Sequence, residues 1–69
     1  MIDMDKLISK ANKKMLCGQR KGQAYFNALY EINIPLAESI CGSDVDPFYD
    51  DNKLPNFIRL VATHDGGEC

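Results

Sequence analysis

Residues that end or cap helices recur at short intervals along the chain, and the segments between them carry apolar residues at helical spacing. Gly18, the triplet Asn33-Ile34-Pro35, Gly42 and the pair Asp46-Pro47 separate these segments. Proline is excluded from helix interiors and glycine favours helix ends, so no helix can extend across these points. No segment shows the strict alternation typical of a strand. The pattern predicts an all-α fold, a compact bundle of three to four short helices.

The first helix is predicted from an N-cap at Asp3 to a stop at Gly18. Lysines occupy most of the opposite face, which makes the helix amphipathic with a basic outer side. The apolar residues recur every three or four positions: Met4, Leu7, Ile8, Ala11 and Met15.

The second helix is predicted from about Lys21 to Ile32, and it is apolar enough to form the centre of the core. Asn33 is expected to cap a short third helix, with Pro35 tolerated in its first turn and Gly42 at its end. The residues expected to face inward on the second helix are Tyr25, Ala28, Leu29 and Ile32, with Phe26 and Tyr30 beside them. Those on the third helix are Leu36, Ala37, Ile40 and Cys41.

Residues 44–52, which we call the strap, contain four carboxylates and three aromatic or proline residues between the third helix and the last. Asp46 followed by Pro47 predicts a tight helical turn at 47–50. Asn52 is the predicted cap of a last helix that runs from Lys53 to about Thr63. The strap is therefore expected to connect the last helix to the second.

A chain of 69 residues can form one small domain. We expect a helical domain over 1–63 and a flexible C-terminal tail over 64–69. The predicted core cluster consists of Phe26, Leu29, Phe48, Phe57 and Val61.

Charge is distributed unevenly along the chain. Residues 1–22 carry six bases and two acids, whereas residues 23–52 carry six acids and no base. Such asymmetry can steer a charged partner towards the protein. The simpler interpretation, which we favour, is that the basic first helix folds against the acidic middle of the chain.

Cysteine content and the start of the chain both predict a cytoplasmic protein. Cys17, Cys41 and Cys69 are an odd number at wide spacing, which favours free thiols over one disulfide, although both remain open. The start MIDMDK has early carboxylates and no apolar run after a basic end, so no signal peptide is expected. No stretch reaches the roughly 18 apolar residues of a membrane span, so no membrane partner is expected.

No metal site, cofactor or catalytic centre is predicted. Asp44 and Asp46 match the first ligand positions of a calcium-binding EF-hand loop, but Phe48, Tyr49 and Pro55 stand where later positions need oxygen ligands, glycine or glutamate. His64 is the single histidine, too few for a zinc site or for a base beside a nucleophilic cysteine. We therefore expect a protein that is not an enzyme.

A partner-binding patch is predicted where the start of the second helix meets the strap. Arginine and tyrosine dominate binding energy at protein interfaces, whereas lysine is depleted at their centres. Gln23 and Asn27 could present amides to a partner, or bond to each other and to a neighbouring loop, which is commoner for amides near a core. The predicted patch consists of Arg20, Gln23, Tyr25, Asn27, Tyr49, Asp50 and Asp51.

The run from Arg20 to Asp51 resembles a family of small uncharacterised proteins of bacteria and bacteriophages. The family pattern is R-x-G-Q-x-x-F-N-x-L, then P-x-L-A, then G-[ST]-x-x-D-P-F. It covers about half of the chain, and Cys41 stands where the family has a basic residue. The resemblance implies no catalytic role. It implies a phage origin, and small phage proteins often bind and disable one host protein. The matching residues are Arg20, Gly22, Gln23, Phe26, Asn27, Leu29, Pro35, Leu36, Ala37, Gly42, Ser43, Asp46, Pro47 and Phe48.

The function expected is therefore that of a small protein-binding module, phage-encoded and inhibiting a host enzyme or defence complex in the host cytoplasm. The alternative is a nucleic-acid-binding accessory factor that grips phosphates with the basic turn at 13–21, through Lys13, Lys14, Arg20 and Lys21. A homodimer remains an open alternative for the oligomeric state.

Overall fold

The computed structural model describes residues 3–63 of the chain. This part contains four α-helices and one 3-10 turn. No strand occurs in these residues, so the predicted all-α class is confirmed. The predicted tail at 64–69 lies outside the described residues. In chain order the elements are α1 (Met4–Leu16), α2 (Lys21–Ile32), α3 (Ile34–Ile40), the 3-10 turn (Asp51–Lys53) and α4 (Leu54–Thr63).

Helix α1 begins and ends through local hydrogen bonds, as predicted. The Asp3 carboxylate accepts a hydrogen bond from the Lys6 amide at 3.1 Å, which satisfies one of the free amides of the first turn. At the other end Gly18 adopts a φ of 102°. This left-handed conformation lets the amides of Gly18 and Gln19 donate back to carbonyls of the last turn, at 3.0 and 3.2 Å.

Asn33 joins α2 to α3 without an intervening loop. Its amide donates to the Leu29 carbonyl at 2.7 Å, and its side-chain oxygen accepts from the Leu36 amide at 3.1 Å. Asn33 thus closes one helix and caps the next, as predicted. Cys41 is a correction: it is exposed rather than on the buried face. Cys41 is the C-cap of α3, where a ψ of 124° takes the following residues out of the helix, so its side chain lies at the exposed helix end.

The strap differs from the prediction in where its helical turn falls. Residues 47–50 hold a single hydrogen bond of the i to i+3 type, from the Asp50 amide to the Pro47 carbonyl at 3.3 Å, and are not helical. The helical turn lies at Asp51–Lys53, and Asp50 caps it by accepting from the Asn52 amide at 2.9 Å. The predicted cap at Asn52 is therefore wrong by two residues. Asp50 is extended, with a φ of −148°, so the helical path can begin only after it.

One apolar cluster forms the core and draws on all four helices. The predicted core residues Phe26, Leu29, Phe57 and Val61 are buried in it, and Phe48 packs against it half-buried. Ile8 departs from the prediction for α1, because its side chain is 40% exposed. The buried residues are Leu7, Ala11, Ala24, Tyr25, Phe26, Ala28, Leu29, Leu36, Ala37, Ile40, Leu54, Phe57 and Val61.

Candidate functional site

The N-terminus of α2 is capped by the strap and not by its own N-cap residue. Arg20 occupies the N-cap position and makes no capping hydrogen bond with its side chain. Instead, an oxygen of the Asp51 carboxylate accepts from the Gly22 amide at 3.0 Å, from 29 residues further along the chain. Amides of the first helical turn have no partner within the helix, and the helix dipole favours a negative charge there. Asp51 therefore anchors the strap to α2.

Gly22 is required by the close approach of the strap. A β-carbon at this position would lie 2.6 Å from the Asp51 carboxylate oxygen and would overlap the Pro47 carbonyl oxygen. Any side chain would thus push the strap away from α2, because backbone atoms of Pro47 cannot rotate aside as a side chain does.

Two further side chains hold the strap in its non-helical shape. Asp46 is buried, at 7% exposure, and its carboxylate accepts from the Gly42 amide at 2.8 Å and the Phe48 amide at 2.9 Å. The guanidinium of Arg20 donates to the Phe48 carbonyl oxygen. Pro47 is fully buried between these contacts. These hydrogen bonds therefore fix the non-helical shape of the strap.

Four aromatic rings make a continuous row from α2 onto the strap, which we call the aromatic row: Tyr30, Phe26, Phe48 and Tyr49. The centroid distances between successive rings are 6.1, 5.8 and 4.8 Å. The last two contacts are edge-on, the arrangement that aromatic quadrupoles favour. The interior of the row is packed against the core, while its ends face solvent, with Tyr30 39% and Tyr49 81% exposed.

Glu38 of α3 fixes the Tyr30 end of the row. The Tyr30 hydroxyl donates to a Glu38 carboxylate oxygen at 3.1 Å. This hydrogen bond, together with the negative charge of Glu38, raises the pKa of the Tyr30 hydroxyl above its ordinary value, because both favour the protonated phenol. The Tyr30 ring is thereby held by a hydrogen bond as well as by its contact with Phe26.

The structure places the aromatic and acidic residues of the predicted patch in different environments. Tyr49 is exposed as expected, whereas Tyr25 is 7% exposed and belongs to the core. This confirms the inward face predicted for Tyr25 on the second helix and shows that its place in the predicted patch is wrong. Its position on the same helical face as Ala28 and Leu29 points it inward. Asp50 and Asp51 are exposed but serve as caps. The binding role itself remains a prediction.

Of the two amides on α2, Asn27 follows the alternative in which the side chain bonds to a neighbouring loop. Asn27 donates from its side chain to the side-chain oxygen of Gln19, in the turn between α1 and α2, at 3.0 Å. Gln23 is half-buried. Asn27 therefore ties α2 to the preceding turn rather than standing free for a partner.

Sequence reasoning missed the roles of Gly22 and Tyr30 at this site. Gly22 entered only as part of a family pattern, and Tyr30 only as an addition to the core face. A glycine in the first turn of a helix lacks a local purpose, since alanine forms helices better. A glycine where alanine would favour the helix was the one available signal that another segment of the chain approaches the backbone at this position.

The basic face of α1 folds against Glu31 of α2, an acidic residue of the middle of the chain, as expected. Lys10 and Lys14 both form ion pairs with Glu31, the first at 3.2 Å. Hydrogen bonds from Lys14 and Lys10 lower the pKa of the Glu31 carboxyl below its ordinary value. An open groove of about 320 Å³ lies here, lined by Lys10, Lys13, Lys14, Cys17, Gln19 and Glu31.

The described residues hold no group of three or more His, Cys, Asp or Glu side chains that could bind a metal ion. Cys17 and Cys41 are free, exposed thiols. His64 and Cys69, the other residues weighed for a metal or nucleophile, lie outside the described part of the chain.

Comparison of this chain with protein-family models, with curated proteins and with solved structures gives no match. In residues 3–63 no helix is both long enough and apolar enough to cross a membrane. The class that the fold defines is thus a small all-α bundle with an ordered strap, and the likeness to a phage family remains a prediction.

Proposed function

We propose that this chain is a non-enzymatic module that binds another protein through the aromatic row. The observation that carries the proposal is the outer end of the row: Tyr49 is 81% exposed and yet its ring contacts Phe48 with centroids 4.8 Å apart. A large aromatic side chain in water gains little for the monomer. Tyrosine is enriched among the residues that dominate binding energy at interfaces.

The row is also rigid before any partner arrives. Arg20, Asp46 and Asp51 hold the strap by hydrogen bonds, and Glu38 holds the Tyr30 hydroxyl. Ordering side chains and loops on binding costs free energy, so a surface that is already ordered binds more tightly for the same contacts. This preorganisation is typical of a binding surface, and the same contacts also stabilise the isolated domain by capping α2.

The finer proposal is that the partner is a host protein and that the chain is a phage-encoded inhibitor of a host enzyme or defence complex. Its support is the family resemblance carried by the segments from Arg20 to Asn27 and from Asp46 to Phe48. In the folded chain these segments meet, because Gly22, Arg20 and Phe26 contact the strap. The residues that carry the resemblance therefore form part of the scaffold under the aromatic row in this chain.

Nucleic-acid binding by the turn at 13–21 is the weaker alternative. Lys14 is engaged with Glu31, and Arg20 with the Phe48 carbonyl. The Glu31 carboxylate also lies in the groove that a phosphate would have to enter. Affinity that falls steeply with salt and is lost in a Lys13→Glu, Lys21→Glu double variant would favour this alternative.

The test is capture of a partner from bacterial host lysate by the immobilised chain, followed by affinity measurement with the purified partner. Tyr49→Ala should weaken binding about 30-fold, the effect of removing one dominant interface residue. Leu16→Ala is the matched control, because Leu16 is 88% exposed on α1 and should leave binding unchanged. Full binding by Tyr49→Ala, with loss in the lysine variant, would place the interface elsewhere. Inhibition of the purified partner's activity tests the finer proposal.

A further inference from the structure

The aromatic row is flanked by carboxylates at both ends. Glu38 lies against the Tyr30 hydroxyl, and Asp50 follows Tyr49 directly in the chain. Asp51 anchors the strap beside them. No lysine or arginine occurs between residues 23 and 52, and Arg20 supplies the one guanidinium bound to the strap.

None of these carboxylates forms an ion pair with a lysine or arginine of the described residues. Glu38 accepts from a tyrosine hydroxyl, and Asp50 and Asp51 accept from backbone amides, all of which are neutral donors. Glu31, in contrast, is paired with two lysines of α1. The negative potential of the middle segment is therefore concentrated around the aromatic row.

We infer that the partner presents a basic segment to this surface, with arginine or lysine side chains placed over the exposed rings of Tyr49 and Tyr30 and directed at Asp50 and Glu38. This inference rests on the proposed function and specifies the chemistry of its partner. A cation is attracted to the face of an aromatic ring, and a carboxylate beside the ring adds to that attraction. The same acids repel a phosphate backbone. A wholly apolar partner would leave the carboxylates without compensation for lost water.

A second copy of this chain fits the surface less well. The basic face of α1 is partly neutralised, because Lys10 and Lys14 there already pair with Glu31. Contact between two different surfaces of identical chains, unless it is reciprocal, also generates rings or open filaments rather than closed dimers. A different protein with a basic segment is therefore the occupant we commit to.

Replacing carboxylates at this surface by amides of the same shape removes their charge while retaining their hydrogen bonds. In a Glu38→Gln, Asp50→Asn variant the glutamine oxygen can still accept from the Tyr30 hydroxyl, and asparagine is as good a helix cap as aspartate. The matched control is Asp3→Asn, Asp5→Asn, which removes the same charge from the first turn of α1 while retaining the cap at residue 3. Circular dichroism should show the same helix content in all three proteins.

The probe is a short amphipathic peptide of arginine and leucine, compared with the same peptide carrying glutamate for arginine, in NMR titrations of the full chain. We expect the arginine peptide alone to bind, with the largest shifts at Tyr30, Tyr49 and Asp50. The Glu38→Gln, Asp50→Asn variant should bind it about fivefold more weakly, and the control variant equally well. Absence of binding, shifts confined to α1, or equal affinity of both variants would overturn the inference.

The partner captured from lysate distinguishes this inference from the proposed function. If Tyr49→Ala loses that partner but Glu38→Gln, Asp50→Asn retains it with unchanged affinity, the row binds protein and the basic-segment inference is wrong. If Tyr49→Ala retains the partner, the proposed function itself fails. Concentration-dependent self-association that Tyr49→Ala abolishes would identify a second copy as the occupant and also overturn the inference.

Discussion

The backbone amide of Gly22 and the carboxylate of Asp51 form a 3.0 Å hydrogen bond that caps α2 with a residue from the strap. The bond requires a glycine, since a β-carbon at residue 22 would overlap the Pro47 carbonyl oxygen. One contact thus links helix capping, strap docking and the position of the aromatic row. Several experiments can separate these effects.

Gly22→Ala should destabilise the domain by about 1–3 kcal/mol, the usual cost of forcing an extra group into a filled site. The sign of the stability change is informative, because a glycine-to-alanine substitution in an unobstructed helix raises stability by roughly 0.5–1 kcal/mol. Urea unfolding followed by circular dichroism measures the change. Asn12→Ala, at an exposed position of α1, is the control and should be neutral or slightly stabilising. A more stable Gly22→Ala protein would contradict the close approach.

Asp46→Ala should cost about 2–3 kcal/mol, because the amides of Gly42 and Phe48 would lose their shared acceptor at a buried position. Asp46→Asn should cost less, since its one side-chain oxygen can still accept from one of them. Thermal unfolding of both variants tests whether Asp46→Ala destabilises the domain more than Asp46→Asn does. Asp44→Ala is exposed in the same strap and should change stability by no more than about 0.5 kcal/mol. Equal effects at residues 44 and 46 would refute the role given to Asp46.

Phe26→Ala should cost about 3–5 kcal/mol, because it removes a buried ring that also contacts Phe48 and Tyr30. In so small a domain this is comparable to the whole free energy of unfolding, so the cooperative thermal transition should disappear. Tyr49→Ala removes a ring of similar size from the exposed end of the row and should leave the transition sharp. A cooperative transition in Phe26→Ala would show that the core does not depend on this residue.

Stability should depend on pH through Glu31. Lys14 and Lys10 hold the folded pKa of its carboxyl below the unfolded value, so the ion pairs stabilise the fold above the unfolded pKa. That contribution is lost as pH falls through the lowered folded pKa. The melting-temperature difference between the wild type and Glu31→Gln should therefore be largest near about pH 7 and vanish once the pH has fallen below the lowered folded pKa of Glu31. Added salt should reduce it, and a difference that grows on acidification would contradict the assignment.

Calcium, magnesium and zinc at low millimolar concentration should leave the melting temperature unchanged. Both oxygens of the Asp46 carboxylate already accept backbone amides, and the described residues hold no group of three or more His, Cys, Asp or Glu side chains that could bind a metal ion. Specific binding would raise the melting temperature by mass action. A rise of several degrees with calcium would overturn this interpretation of the strap.

Local features of the fold were readable from the sequence because each depends on residues within about four positions. The cap at Asp3, the span of α2 from Lys21 to Ile32 and the double role of Asn33 are of this kind. Helical spacing of apolar residues likewise identified Phe26, Leu29, Phe57 and Val61 as core. The strap was the exception, since Asp46, Asp50 and Asn52 were all plausible caps by local rules.

Only the tertiary structure decided how the strap docks and what surface it makes. Asp51 caps a helix 29 residues away, Tyr25 is buried while Tyr49 is exposed, and Phe48 joins rings of α2 to those of the strap. Residue type and spacing cannot determine such contacts, because their free energies depend on which distant groups share one site after folding. The sequence by itself determined the helices, their ends and most of the core, since local hydrogen bonds and apolar periodicity suffice for these. The aromatic row exists only once long-range packing has brought residues 20–30 and 46–51 together.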